Sequence, residues 1–453
     1  MIVRTNMAAA AIMLLLAGIG AAWLRFAPAP EAAAPPAPIA LVTNEVIEQL
    51  EAVELLDADG AVLEGIRRGA VGGWVVRSGS GDAEGPAWPV QSERLQGFLS
   101  LMSRLRATPV DDASVSGSVE RAPQRGLRLV SGGGTRTIWL GDEVGGGEGL
   151  LWLDDGGEVL RCASTAHVLA RSGFEPWRSG VAGPRPSGRA SGVRLSFATG
   201  GVLLHRTRDG WWVREPTEAR AAEAAAQAVL DAMARSEVLA WDASAAEGEP
   251  IASVQVLWTS DASPGSGTAG SAVDTLVQTL DVLAAGDAQN KSVVVRSELR
   301  RGQEMIWGPS LLRVDAERFF ALPGAVDGYL SRRAVRSPMS TLTSVDVRGS
   351  DGAVLMRYER VASGWRAADG SEFDASSLER ALNAWTEDAA VWASVSTPED
   401  LTGLRCVVGL GIGGSESGEV LELYRSASGP VVRAGARWLR YDPAALPLGG
   451  WAP

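Results

Sequence analysis

The alternation of apolar and polar positions repeats three times along the chain. Val53 and Leu55, then Val193, Leu195 and Phe197, then Val345 and Val347 fall at every second position. That period of two predicts a strand with one buried face. Each strand runs into a glycine turn and a second apolar stretch. These turns are Asp59-Gly60 before Val62 and Leu63, Thr199-Gly200 before Val202 and Leu203, and Asp351-Gly352 before Val354 and Leu355. A tight hairpin turn needs φ > 0, which glycine supplies at little cost, so three hairpins are predicted. Ten to thirteen residues after each turn glycine comes Gly73-Trp74, Gly210-Trp211 or Gly364-Trp365. A third strand carrying a large core anchor fits all three.

The period then changes to that of a helix. Leu95, Phe98, Leu99, Met102 and Leu105 share one face, with Ser92 as candidate N-cap. In the second copy Glu215-Pro216-Thr217 opens an alanine-rich helix reaching Val229 and Met233, with Thr217 capping. The third helix starts at Asp374 and carries Leu378, Leu382 and Trp385 at i, i+4 and i+7. Pro109-Val110, Ala240-Trp241 and Val391-Trp392 follow the helices, and further strands follow these, including 126–130, 137–140, 254–258 and 404–408. A unit of about 115–145 residues is too long for a solenoid, whose period is about 20–50. The expected fold class is therefore α+β, with three tandem units of antiparallel strands around one main helix at 44–180, 192–336 and 337–453. One large sheet is the alternative. The turn-rich segment 261–270 is predicted to be a solvated insertion.

Ahead of the units, residues 5–24 carry no charge. As a helix they would span about 30 Å, the thickness of a bilayer core. Arg4 and Arg25 flank the run, and Trp23 stands where an interfacial aromatic would sit. A transmembrane anchor over 1–26 is expected, the rival being a leader cleaved near Ala27-Pro28-Ala29. The localisation that follows is a single-pass membrane protein with its C-terminal region extracytoplasmic (periplasmic in a Gram-negative cell). Residues 27–43, with Pro28, Pro30, Pro35, Pro36 and Pro38, read as an extended proline- and alanine-rich stalk.

Composition narrows the chemistry. With 42 Lys+Arg against 54 Asp+Glu, a net charge of −12 and a pI near 4.9, the chain is not expected to bind nucleic acid. Two His and two Cys are too few for a conventional structural zinc site or a disulfide framework. Cys162 and Cys406 share strand faces with apolar residues and behave as small hydrophobes. Gly409, Gly411 and Gly414 match a dinucleotide fingerprint on paper, but an alternating strand at 419–424 follows where that motif needs a helix. The pairs Asp111-Asp112 and Asp154-Asp155 fall in loops, and His167 and His205 have no triad or metal partner nearby in sequence. No catalytic, cofactor-binding or metal-ligating residue is proposed. The 16 Trp against 7 Phe and 4 Tyr are unusual. Most recur at equivalent places in the units, as a reused core would have them. Trp211 and Trp212 are adjacent on a strand, so one must face outward and offer a ligand or partner contact.

Several stretches together resemble the domain of unknown function 4340 family. In the first unit these are Gly73-Trp74, Trp88-Pro89-Val90, the helix Leu95 to Leu105, then 138–141, 150–153, 158–161 and the short helix Ala166 to Arg171. Counterparts are 291–295, Met305 to Trp307 and a helix near Asp315 to Phe320 in the second unit. The third has 430–432, Trp438 to Tyr441 and a helix from Ala444 to Leu446. The resemblance implies a membrane-anchored extracytoplasmic protein, some relatives being auxiliary parts of ABC-type transport systems linked to gliding motility. It implies no catalytic residue. The expected function is thus a non-catalytic accessory or scaffold protein with envelope or transport partners. An envelope glycan-binding module using exposed Trp is the alternative, and a hydrolase is the least favoured.

Overall fold

The computed structural model describes residues 37–71, 73–78, 86–110, 125–144, 146–153, 159–186, 188–198, 200–241, 249–259, 275–285, 292–413 and 418–446. The expected α+β class is corrected. The described residues are mostly antiparallel β, 52% in strands and 19% in helices, and the strands form three large sheets. The helices are accessories to these sheets and not centres around which strands gather.

The first sheet holds β1 (Ile39–Ala40), β2 (Leu50–Leu56), β3 (Val62–Arg68), β4 (Trp74–Ser78), β5 (Trp88–Pro89), β6 (Arg106–Pro109), β7 (Arg125–Ser131), β8 (Gly134–Val144), β9 (Glu148–Leu153) and β10 (Val159–Ala163). Its order across the sheet is β1-β6-β10-β9-β8-β7-β2-β3-β4-β5. The second holds β11 (Arg189–Phe197), β12 (Gly200–Thr207), β13 (Gly210–Glu215), β14 (Ala219–Arg220), β15 (Val238–Trp241), β16 (Ala252–Thr259), β17 (Thr275–Ala285), β18 (Ser292–Arg301) and β19 (Glu304–Asp315). Its order is β14-β13-β12-β11-β16-β17-β18-β19-β15. The third holds β20 (Leu342–Arg348), β21 (Val354–Val361), β22 (Gly364–Ala367), β23 (Trp392–Ser394), β24 (Leu401–Ile412), β25 (Glu419–Ser426), β26 (Val431–Ala434) and β27 (Arg437–Arg440). Its order is β22-β21-β20-β24-β25-β26-β27-β23.

With the two-residue strands β1, β5 and β14 set aside, all three sheets have one order. The strand that is third in the chain lies at one edge, followed by the second, first, fifth, sixth, seventh and eighth, and the fourth closes the far edge. The main helix joins the third strand to the fourth, so it must cross the whole sheet and cover one face. That crossing explains its amphipathic pattern. Helix α1 (Asn44–Glu48) precedes β2, and α2 (Ser92–Arg104) buries Leu95, Phe98 and Met102. Helix α3 (Thr165–Ser172) follows β10. The second sheet is crossed by α4 (Glu223–Arg235), which buries Val229, Leu230 and Met233, and α5 (Glu317–Phe320) follows β19. The third is crossed by α6 (Ala375–Thr386), on which Leu378, Leu382 and Trp385 are all fully buried.

The predicted turns appear with the backbone they need: Gly60 at φ 85°, Gly200 at 137° and Gly352 at 83°. The strand after each turn pairs an arginine directly across from the tryptophan of the next: Arg68 with Trp74, Arg206 with Trp211, Arg360 with Trp365. Trp211 and Trp365 are buried anchors, whereas Trp74 is only half-buried.

Other expectations are corrected in detail. Gln91, not Ser92, is the N-cap of α2. Thr217 opens no helix, because Ala219–Arg220 pair with β13 and α4 begins only at Glu223. Residues 444–446 form a turn and not a helix. Ile39–Ala40, inside the predicted stalk, pair with β6, and the adjacent Leu41 and Val42 are buried in the first core.

The predicted transmembrane helix 1–26 lies outside the described residues. Among the described residues no helix is long and apolar enough to cross a membrane. The longest, α2 and α4, have 13 residues, about 20 Å against the roughly 30 Å a bilayer core requires. The single-pass anchoring and the extracytoplasmic placement that rested on it are corrected accordingly, since no described element carries them.

Candidate functional site

The two tryptophans singled out by the sequence sit on β13 with opposite orientations. Trp211 is 3% exposed and packs into the core, with the Arg206 guanidinium 5.7 Å from its ring centroid. Trp212 points to the other face and is half-buried, flanked in register by the exposed His205 on β12 and by Arg220 on β14. The pair therefore offers one surface contact, Trp212, beside one structural anchor.

Several titratable and nucleophilic side chains are bound into the frame. His167 on α3 is buried, and its Nε2 lies 2.9 Å from the Leu150 carbonyl. Gly149 makes room for that imidazole, since a Cβ there would stand 2.2 Å from His167 Cε1. Cys162 and Cys406 are free and buried. Burial pushes the Cys162 thiol up to about 11, with Glu148 adding to the rise, and burial raises Cys406 too. Asp374 caps α6, accepting from the Ser377 hydroxyl and amide and the Ser376 hydroxyl, which hold its carboxyl at about 2. Asp400 is held at about 2 by the Ser426 and Ser428 hydroxyls and, secondarily, by Arg440. Gly409 and Gly411 lie within β24, and the next described element is the strand β25, so among the described residues the dinucleotide geometry is missing there. Gly414, Asp111, Asp112, Asp154 and Asp155 lie outside the described residues. Among the described residues no three His, Cys, Asp or Glu converge on a metal position.

The junctions between sheets hold what periodicity does not reveal. Past β10 the chain makes a 3-10 turn, Glu175–Trp177, and then runs between the first and second sheets. The Gln91 amide donates to the Trp177 carbonyl (2.8 Å) and the Ser179 amide to the Pro89 carbonyl (2.7 Å). The same segment then meets the far end of α4, the Ala182 amide donating to the Ser236 carbonyl and Gly183 to Met233. The second junction repeats the scheme. Ala222 donates to Tyr329, Ser331 to Arg220, and Val335 to Trp385 at the end of α6.

The side chains at the two junctions differ. At the first, Trp88 is 1% exposed, its ring 4.8 Å from Trp307 and 5.2 Å from Trp241, both edge-on. Its Nε1 donates to the Ser179 carbonyl (2.9 Å). The guanidinium of Arg178 lies 5.1 Å from the Trp241 ring. Ala219 occupies the register position equivalent to Trp88 in the second sheet, because Val213 pairs with Ala219 as Val76 pairs with Trp88. That departure from the repeat is the signal in the sequence that marks Trp88. At the second junction the buried Arg437 donates through one nitrogen to the carbonyls of Ser331 and Arg333 (2.6 and 2.7 Å). Burial, reinforced by the nearby Arg220, lowers its guanidinium to about 10.

Beside the tryptophan cluster lies a cavity of about 240 Å³. Trp74, Val71 and Pro89 of the first sheet, Pro184 and Pro186 of the connecting segment, and Ile306 and Trp307 of the second sheet enclose it. The lining is mostly apolar, with Arg185 at its edge held by Asp231 at 2.9 Å. Compared with known proteins, the chain matches no family model, no curated protein and no solved structure.

Proposed function

We propose that this is a non-catalytic accessory or scaffold protein that works by touching other proteins, auxiliary to a transport complex of the ABC type as the resemblance to the 4340 family implies. The observation that carries this is that five reactive side chains are spent on the frame. Both cysteines are buried as high-pKa thiols, His167 is tied to a backbone carbonyl, and Asp374 and Asp400 are locked by serines. Groups so committed serve the frame and are poorly placed to exchange protons or attack a substrate. The surface meanwhile keeps apolar side chains exposed, among them Val354, Leu355 and Met356 at the tip of the β20–β21 hairpin. Crosslinking of the full chain in its native cells, with identification of the captured proteins, tests the proposal. Repeated recovery of one transport assembly is expected. Absence of any transport component above background, or turnover of an ester, peptide or glycoside that a single Asp or Glu change removes, would refute it.

The half-exposed Trp212 favours a second reading, a glycan platform, because an indole offers a flat apolar face beside polar neighbours. Retention on isolated cell-envelope polysaccharide that Trp212→Ala abolishes would put this reading first.

A further inference from the structure

The cavity at the first junction has walls suited to a polyproline helix. Two indoles, Trp74 and Trp307, and three proline rings, Pro89, Pro184 and Pro186, surround it. Recognition of proline-rich segments relies on aromatic grooves of this kind, because the ligand is already extended and loses little entropy on binding. Proline also lacks a backbone N–H, so a proline-rich run brings few donors into an apolar cavity. A volume of about 240 Å³ is too small for a folded element and suits a few residues.

The chain carries such a ligand in its own sequence. Pro35-Pro36-Ala37-Pro38 has the P-x-x-P spacing, with Pro28 and Pro30 upstream. Glu31 is the one charged residue between Arg25 and Glu45, so the run itself is uncharged.

The path along the sheet favours capture by another molecule. Ile39, which follows the run, begins β1 at one edge of the first sheet, whereas the cavity lies at the β4–β5 edge. Nine strand spacings separate these edges, roughly 43 Å along the sheet at about 4.8 Å each. Pro35 is four residues from Ile39 and can reach no more than roughly 14 Å. We propose that the cavity between the first and second sheets receives the proline run 35–38 of a second copy of this chain.

The full chain and a fluorescent peptide of residues 27–38 test this. The peptide should bind wild-type protein saturably, lose at least tenfold in affinity on Trp74→Ala, and fail to bind when its Pro35 and Pro38 are alanine. The wild-type chain should self-associate with concentration in sedimentation. Pro35→Ala/Pro38→Ala, which leaves the cavity intact, should remain monomeric over the same range. Thermal melting of Trp74→Ala keeps loss of the site distinct from loss of the fold. A peptide that does not bind, or that binds Trp74→Ala equally well, would overturn the site. Peptide binding by a wild-type chain that stays monomeric at every concentration would overturn the second copy as occupant and direct the site to a foreign proline-rich protein.

Discussion

Trp88→Ala should uncouple the first sheet from the rest of the molecule. The side chain is 1% exposed and belongs to the apolar cluster that continues through the second and third sheets. Removing a buried tryptophan costs about 3–5 kcal/mol. Two edge-on ring contacts are lost with it, each worth about 0.5–1.5 kcal/mol beyond simple burial. The Ser179 carbonyl also loses its indole donor. These losses overlap, so a total of about 4–5 kcal/mol is expected, most of it falling on docking of the two sheets. At about 1.4 kcal/mol per factor of ten, the undocked population should rise by about three orders of magnitude. Hydrogen exchange reads this directly, because two amides bond across the junction: Gly308 to the Ala87 carbonyl (2.9 Å) and Val238 to Gly180 (2.8 Å). Both should lose protection by that factor while amides inside β7 and β8 keep theirs, and calorimetry should split into separate transitions. A change below tenfold at Gly308, with melting unaltered, would refute the argument that the indole cluster holds the junction.

The other expectations concern the frame. Gly149→Ala would drive a Cβ into the His167 ring and break its bond to Leu150. A loss of about 2–4 kcal/mol in denaturant titration is expected from overpacking plus the lost hydrogen bond. Gly97→Ala should act oppositely, because Gly97 is exposed within α2 with nothing near its missing Cβ, and a gain of about 0.5–1 kcal/mol is expected. Asp374 and Asp400 have folded-state pKa values near 2, below their ordinary value of 3.8. Depressed carboxylates contribute stability that is present above about pH 4 and lost as pH falls toward 2, so Asp374→Asn/Asp400→Asn should flatten the acid limb of a melting-temperature profile. The two thiols, raised by burial, should resist alkylation at pH 8 in the folded protein and react fully in denaturant.

Local chemistry made the hairpins and main helices legible. A period of two with a glycine turn specifies a hairpin from a dozen neighbouring residues, and Asp374 before Leu378, Leu382 and Trp385 specifies a capped helix the same way. The class of the fold was not legible, because it depends on how many strands join each sheet. Strands such as Trp88–Pro89 and Ala219–Arg220 are two residues long, too short to show a period of two, and exist only because the preceding strand accepts them at its edge. The second helix begins later than Thr217 because pairing of Ala219 with Val213 overrides the cap that Thr217 would supply. The path of each helix across its sheet to a fourth strand at the opposite edge is the non-local decision.

The comparison of the three copies shows where individuality resides. Strand order and the Arg–Trp register are held in common, and the two connecting segments make corresponding backbone bonds. A shared frame of this kind constrains backbone and leaves side chains free wherever one sheet meets the next. Trp88 and Pro89 stand where the second sheet has Ala219 and Arg220. The large ring closes the first junction with stacked indoles and leaves an aromatic cavity beside them. The small alanine cannot, and the second junction is closed instead by Arg437 reaching two carbonyls of the connecting segment. An aromatic, proline-lined wall can therefore form at the first junction but not by the same means at the second. Exchanging the pair, Trp88→Ala with Pro89→Arg, should remove peptide binding at the first junction without disturbing Arg437 at the second.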